Sequence, residues 1–394
     1  FTAFPPARDV VGAPGTVTIT TLTMAWRLRL LVALGVTSVG AIKVNLALRR
    51  LDDSEPQSSG ARTRREEVAQ PTAGCSATQR LQAGDHNITI GDLQLGDVER
   101  QFRLRLPEAR VADTPMPLML LFHGQGGSHR TFSDKVSMLI ERFTKGGWAV
   151  VLPAGLREHF VVPGHEVEEG TDSGWNTGAA GDNSTCLEDT EGQCMDSCVR
   201  LGQCGRCNWS TCYDDVFFVE QLLRKLEQGL CLDSSRYFLV GESNGGMLSH
   251  HLASMLPGKF RAVAPIFASP LMGYSLGKGF QLLTHQGETR RTSMMQVHDR
   301  SDTVIPYTGG SGYGWLYESM DRTTGAWAAL HNCELNPIRV TTPFDEGPRR
   351  LECKEYLGCN EGRVMQCLYD GHHGTWPDGP RSSELIWWFF NSVI

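Results

Sequence analysis

The sequence predicts an α/β fold: a mostly parallel central sheet with helices on both faces, interrupted by a cysteine-rich insertion. Three observations predict it. From Cys75 onward, short apolar runs alternate with stretches of helical periodicity. Several of those runs are apolar without interruption, as strands covered on both faces require. Two of them run directly into glycine-rich turns, His123-Gly124-Gln125-Gly126-Gly127 and Gly241-Glu242-Ser243-Asn244-Gly245.

Residues 1–74 read as leader, signal peptide and disordered linker, ahead of one domain over 75–394. The first methionine is Met24; Arg27 and Arg29 precede the apolar run Leu30–Ile42, and Val39-Gly40-Ala41 offers small residues for cleavage. An uncleaved signal-anchor is the competing reading, since two arginines follow the next apolar stretch. Residues 51–74, rich in Ser, Arg, Glu and Gln, read as a solvated linker.

Within the domain, Phe102–Leu106 alternates apolar with charged residues, like a half-buried edge strand. Pro117–Phe122 reads as a buried strand, Thr131–Phe143 as a helix and Trp148–Leu152 as a strand. Asp214–Gln228 has helical periodicity. Arg236–Val240 (strand), Asn244–Leu256 (helix), Ala262–Phe267 (strand) and Met294–Val297 (strand) follow. Residues 156–212 and 268–291 interrupt this alternation. Asp214 and Asp215 open a helix, where a cap and a favourable dipole partner explain them more simply than a metal or acid/base pair.

The chain has 394 residues, 40% hydrophobic and 21% charged, enough for a packed core. A net charge of −7 argues against a nucleic-acid partner. All twelve cysteines lie from Cys75 onward, an even number that suits a disulfide-bonded secreted protein. Three glycosylation sequons, at Asn87, Asn183 and Asn208, fit the secretory route. Six cysteines crowd between Cys186 and Cys212. Zinc binding has Cys204-x-x-Cys207 in its favour, but the secretory signals favour three local disulfides of open connectivity.

Gly-x-Ser-x-Gly occurs twice, so context must choose. A nucleophile elbow is a strained turn from strand into helix, with glycines where side chains would collide. Ser243 has RYFLV before it and a helix-forming run after it; Ser275 has neither and reads as a loop serine. The loop after Pro117–Phe122 lacks the ending of a phosphate loop, and can aim a backbone N–H at an oxyanion. In the chain order Ser, Asp, His, the candidates are Asp302, in a loop past a strand end, and the pair His372-His373 after the last strand.

Together LFHGQGGS, YDDVFFVEQLL, RYFLVGESNGGM, VHDRSDTVIPY and GHHGTWP resemble the secreted esterases grouped with polyhydroxybutyrate depolymerases and feruloyl esterases, over roughly residues 98–391. The resemblance implies an α/β-hydrolase fold and hydrolysis of a carboxylic ester through an acyl-enzyme. Carried over residue by residue, it makes Ser243 the nucleophile, Asp302 the triad acid, a histidine of the 372–373 pair the base, and the N–H groups of Gln125 and Asn244 the oxyanion donors. The chain departs from the family at His298-Asp299, where His-Gly is usual, and in the spacing before Trp376-Pro377. His373 is the better base, because it needs the smaller shift along that loop and precedes a glycine.

No cofactor or metal is expected. The expected partner is an ester-bearing polymer or its soluble fragments, with no nucleic acid and no stable membrane span after signal cleavage. Trp175, Trp209 and Trp376 lie in loops that can reach an aromatic acyl group or a sugar ring, with Trp175 and Trp376 the leading candidates. The acidic segment 165–169 would disfavour anionic substrates if it bordered the site. A feruloyl or acetyl ester of polysaccharide is therefore expected before polyhydroxybutyrate. Acyl transfer by the same residues and a non-catalytic carbohydrate-binding scaffold are the other readings.

Overall fold

The computed structural model describes residues 68–77, 81–91, 98–108, 113–162, 169–178, 184–272, 292–346, 349–377 and 379–394. The expected leader and signal peptide, most of the linker, Asn183, Ser275 and nearly all of the acidic segment 165–169 lie outside the described residues.

The chain forms β1 (Gly84–Gly91), β2 (Glu99–Leu106), β3 (Met116–Phe122), α1 (His129–Lys135), α2 (Ser137–Lys145) and β4 (Ala149–Pro153). The insertion carries β5 (Leu156–Val161), β6 (Glu169–Gly174), β7 (Cys194–Met195) and α3 (Asp196–Leu201). Then follow α4 (Asp215–Gly229), β8 (Leu232–Glu242), α5 (Asn244–Met255), β9 (Ala262–Ile266) and β10 (Ser293–Asp299). The last part comprises β11 (Gly310–Gly312), β12 (Trp315–Tyr317), α6 (Met320–Leu330), β13 (Ile338–Val340), β14 (Glu352–Tyr356), β15 (Val364–Tyr369) and α7 (Gly379–Ser392).

Ten strands form one sheet in the order β1-β2-β4-β3-β8-β9-β10-β15-β14-β13. The six from β4 to β15 are parallel, with antiparallel strands at both sides. β3 lies between β4 and β8, so the chain reverses its direction of travel across the sheet there, opening a crevice at the strands' carboxyl ends. This is the α/β-hydrolase arrangement.

Strand β3 shows why the sheet is central. Leu118, Leu120 and Phe122 pack on one face with Phe218 and Leu222 of α4, Leu248 and Leu252 of α5, and Trp327 of α6. Met119 and Leu121 pack on the other with Phe132 of α1, Leu139 and Phe143 of α2, and Phe389 and Phe390 of α7. A strand buried on both faces has no polar side to show, which is why it reads as an unbroken apolar run.

Two elements differ from expectation. Phe102–Leu106 is not at the edge, because β1 pairs outside it in antiparallel register (Ile88 opposite Phe102). The helix expected over Thr131–Phe143 breaks at Val136 (φ −106°, ψ 24°), and α1 starts on a reciprocal cap between Ser128 and Thr131.

All twelve cysteines are paired: Cys75–Cys231, Cys186–Cys207, Cys194–Cys204, Cys198–Cys212, Cys333–Cys359 and Cys353–Cys367. Six cystines suit an extracellular protein. Among the described residues, no helix is long and apolar enough to cross a membrane.

The sequon at Asn208 is a poor glycan site. Its side chain is 2% exposed and its Nδ2 donates to the Gln203 carbonyl at 2.9 Å, whereas Asn87 on β1 is exposed.

Candidate active site

The candidate catalytic side chains gather where parallel strands end. Strand β8 delivers Ser243 at φ 51°, ψ −124°, a strained positive-φ conformation that a non-glycine residue adopts only when its surroundings hold it there. The flanking glycines are sterically required. A Cβ on Gly241 would lie 2.2 Å from the Gly245 carbonyl oxygen, and one on Gly245 would lie 2.4 Å from that of His123. The Ser243 N–H donates to Ile266 at 3.1 Å, locking the turn to β9.

His373 comes from the loop after β15. Its Nε2 lies 2.9 Å from Ser243 Oγ, and its Nδ1 lies 2.8 Å from Asp302 Oδ2. An ionised carboxylate only accepts, so Nδ1 carries the proton and Nε2 is left to accept from the serine hydroxyl. Phe267, itself at φ 36°, sets its ring edge-on to the imidazole with centroids 5.2 Å apart.

Asp302 follows β10. Burial would raise its pKa, but hydrogen bonds from His298 and His373 and from the Ile305 backbone outweigh that and hold the carboxyl well below the usual carboxylate range. Its Oδ1 accepts from the N–H groups of Val304 (2.9 Å) and Ile305 (2.8 Å). His298 Nε2 sits 2.7 Å from the Ile305 carbonyl and 3.3 Å from Asp302 Oδ2, both acceptors, so this nitrogen is the protonated one.

The loop after β3 passes against Ser243: a Cβ on Gly124 would lie 3.2 Å from Ser243 Cβ. Asn244 opens α5, in the first turn, where backbone N–H groups have no intrahelical acceptor. Gln125 is anchored by its side chain, Nε2 donating to Asp172 Oδ2 at 2.7 Å and to the Trp209 carbonyl at 3.1 Å. The arrangement can take the proton from a hydroxyl during attack.

The sequence reading needs one correction. Trp175 is fully buried, its Nε1 donating to the His123 carbonyl at 2.9 Å and its ring packed edge-on to Phe122, so it offers no surface to a substrate. Trp376 is half-buried and ties its loop to the elbow, donating from Nε1 to Glu242 Oε2 at 2.6 Å. Trp209 is half-buried too, 6.2 Å from the ring of Trp315, and both pack on a small apolar cluster with Met247 and Ile305.

Sequence reasoning missed Glu242, Lys135 and Asp299. Glu242 and Asp299 were visible as charged residues ending strands too apolar to leave them solvated. Asp299 is fully buried, and neither carboxylate oxygen has a hydrogen-bond partner on another described residue. Burial, reinforced by the charge of Asp302, pushes its pKa up to about 6. Of the acidic pair, Asp214 caps α4 by accepting from Phe217 N–H at 2.9 Å, as expected. Asp215 does more: it forms a buried ion pair with Arg100 at 2.5 Å and accepts from Asn176 N–H at 2.7 Å. Among the described residues, no group of His, Cys, Asp and Glu is arranged to hold a metal ion.

No protein-family model matches the chain. It is 23% identical over 324 residues to a probable feruloyl esterase C of Aspergillus niger, covering 80% of this chain and 90% of that protein. To feruloyl esterase D of Neurospora crassa it is 24% identical over 338 residues, covering 82% and 91%. Among solved structures, acetyl xylan esterase from Aspergillus awamori aligns at 13% identity and a TM-score of 0.45, over 78% of this chain and 100% of that one. The chain is a carboxylic ester hydrolase related in sequence to the feruloyl esterases.

Proposed function

We propose that the protein is a secreted serine esterase in which Ser243, His373 and Asp302 act as a catalytic triad on feruloyl or acetyl esters of polysaccharide. One observation carries the reading: an unbroken hydrogen-bonded line from Ser243 Oγ through both nitrogens of His373 to a buried, ionised Asp302. Ser243 Oγ attacks the ester carbonyl while its proton passes to His373 Nε2. Asp302 stabilises the imidazolium through Nδ1–H. The tetrahedral oxyanion accepts from the N–H groups of Gln125 and Asn244. The imidazolium then gives its proton to the departing alcohol, leaving an acyl group on Ser243. Water, deprotonated by His373, releases the acid and restores the hydroxyl.

For the substrate, two features support a hydroxycinnamoyl ester over polyhydroxybutyrate. The relatives are named as feruloyl esterases. The Trp209–Trp315 pair stands beside the Gln125 loop, and aromatic faces suit a planar acyl group or a sugar ring. Purified protein is assayed on methyl ferulate, acetylated xylan and polyhydroxybutyrate, with Ser243→Ala as control. Hydrolysis of methyl ferulate abolished in Ser243→Ala is the expected result. Faster turnover of polyhydroxybutyrate overturns the substrate assignment, and undiminished activity in Ser243→Ala overturns the triad.

A further inference from the structure

Glu242 stands where three separate segments of the site converge. It is the last residue of β8, next to Ser243, and its side chain is only 11% exposed. One oxygen, Oε2, accepts from Lys135 Nζ of α1 at 2.6 Å and from Trp376 Nε1 of the histidine loop at 2.6 Å. Its stem packs beneath the loop after β3, for a Cβ on Gly124 would lie 3.7 Å from Glu242 Cγ. Trp376 is three residues beyond His373, and its ring packs against Phe132 of α1 and Phe267, the residue that also contacts the His373 ring.

Glu242 puts a carboxylate at the end of a strand buried on both faces. A charge there is costly unless it is paired and hydrogen-bonded, and this one has both, from two elements distant in sequence. The histidine loop needs such a brace. His373 itself is held by single hydrogen bonds at each nitrogen, His372 is exposed, and Gly374 follows at φ 84°. Tyr369 Oη donates to the Thr375 carbonyl at 2.6 Å and fixes one point of the loop backbone, and the Glu242–Trp376 bond fixes a second against a rotation that would carry the imidazole out of the line between Ser243 and Asp302.

We infer that Glu242 is a positioning residue, which holds the His373 loop in register with the nucleophile by gripping Trp376, while Lys135 fixes the carboxylate in place. The inference rests on the triad reading above. It predicts loss in the chemical step, with substrate binding spared, because the imidazole would be misplaced and the pocket walls would not. A displacement of about 1 Å in a reacting group costs on the order of 100-fold.

Soluble-ester kinetics normalised to active-site titration separate this role from a merely structural one, since titration counts only folded sites. With wild-type activity lost in Ser243→Ala, Glu242→Ala is expected to lower kcat by roughly 10- to 100-fold with KM changed less than about twofold. Glu242→Gln, which keeps an oxygen able to accept from Trp376, should recover most of that loss. Trp376→Phe keeps the aromatic ring and removes the donor, and should match Glu242→Ala. In the Trp376→Phe background, Glu242→Ala should cost no more than about threefold further, because the two act through one hydrogen bond. Additive losses, a fall confined to KM, or titrated sites of Glu242→Ala turning over at the wild-type rate would each overturn the assignment. Should Glu242→Ala fail to fold, Trp376→Phe and Glu242→Gln decide it by the same criteria. Absence of Ser243-dependent activity in the wild type overturns the triad reading itself, and this inference with it.

Discussion

Asn244 grips the backbone of Trp175 from both sides: its Oδ1 accepts from the Trp175 N–H at 2.7 Å, and its Nδ2 donates to the Trp175 carbonyl at 3.0 Å. The residue that follows Ser243 therefore fixes the end of β6, and with it the insertion, to the elbow. Both groups are fully buried, so the cost of losing either bond is that of an unsatisfied polar atom. Ser210 Oγ also donates to the Trp175 carbonyl, at 2.7 Å, which leaves the N–H as the orphan. Asn244→Ala should destabilise the protein by about 2–3 kcal/mol, read from the shift of a urea unfolding midpoint. A loss below about 0.5 kcal/mol would show that water replaces the amide there.

The two histidines of one loop should separate cleanly. His373 lines up with Ser243 and Asp302, whereas the exposed His372 sits 3.0 Å from Thr375 Oγ1. His373→Ala is expected to lower turnover of a soluble ester by roughly 10³-fold or more. His372→Ala should cost about tenfold at most, through altered packing of the loop. The reverse ranking in a single assay refutes the assignment of the base.

Asp299 links stability to pH. Its carboxyl titrates near 6 in the folded protein, against a reference value of 3.8. The folded state therefore holds a proton that the unfolded chain gives up, and stability falls as pH rises from about 4 through about 6. Removing the ionisable group should relieve this. Asp299→Asn is expected to raise stability by about 2–3 kcal/mol at pH 8 and to have almost no effect at pH 4. Thermal unfolding at the two pH values measures it, and a gain of the same size at both would assign the effect to packing.

Glycan occupancy should follow exposure. Expressed through a secretory route, the protein should carry a glycan at Asn87 and none at Asn208, whose amide is buried. Peptide mapping after enzymatic deglycosylation reads the sites directly, and an occupied Asn208 would mean that the insertion is modified before it folds.

What the sequence made legible was what local chemistry dictates. The buried strands announced themselves because β3 and β4 have no polar face. The elbow was legible because only glycine fits beside a strained serine, and Asp302 and His373 because each follows a strand end in the required order. What escaped depends on distant partners. Strand β1 (GDHNITIG) lies at the sheet margin, and only Ile88 and Ile90 alternate with polar residues, too short a signal to mark a strand by itself. Trp175 sits in a loop, yet packs inward because His123 and Asn244, remote in sequence, meet it there. The partners of Glu242 lie 107 and 134 residues away, beyond the reach of any local pattern. Cystine connectivity is of the same kind: six cysteines in one short stretch allow many pairings, and the fold alone selects among them.

The three cystines of the insertion all close within it, joining Cys186 to Cys207, Cys194 to Cys204 and Cys198 to Cys212, and none runs to the main sheet. Its attachment to the elbow gathers at the end of β6, where Asn244 grips the Trp175 backbone, Trp175 Nε1 donates to the His123 carbonyl, and the side chains of Asp172 and Ser173 hold the loop after β3. The segment is thereby a self-contained cassette. Its outer residues make none of these contacts, so substitutions there leave the position of Ser243 unchanged. A new specificity can arise there one surface substitution at a time, on a mount that does not have to be rebuilt.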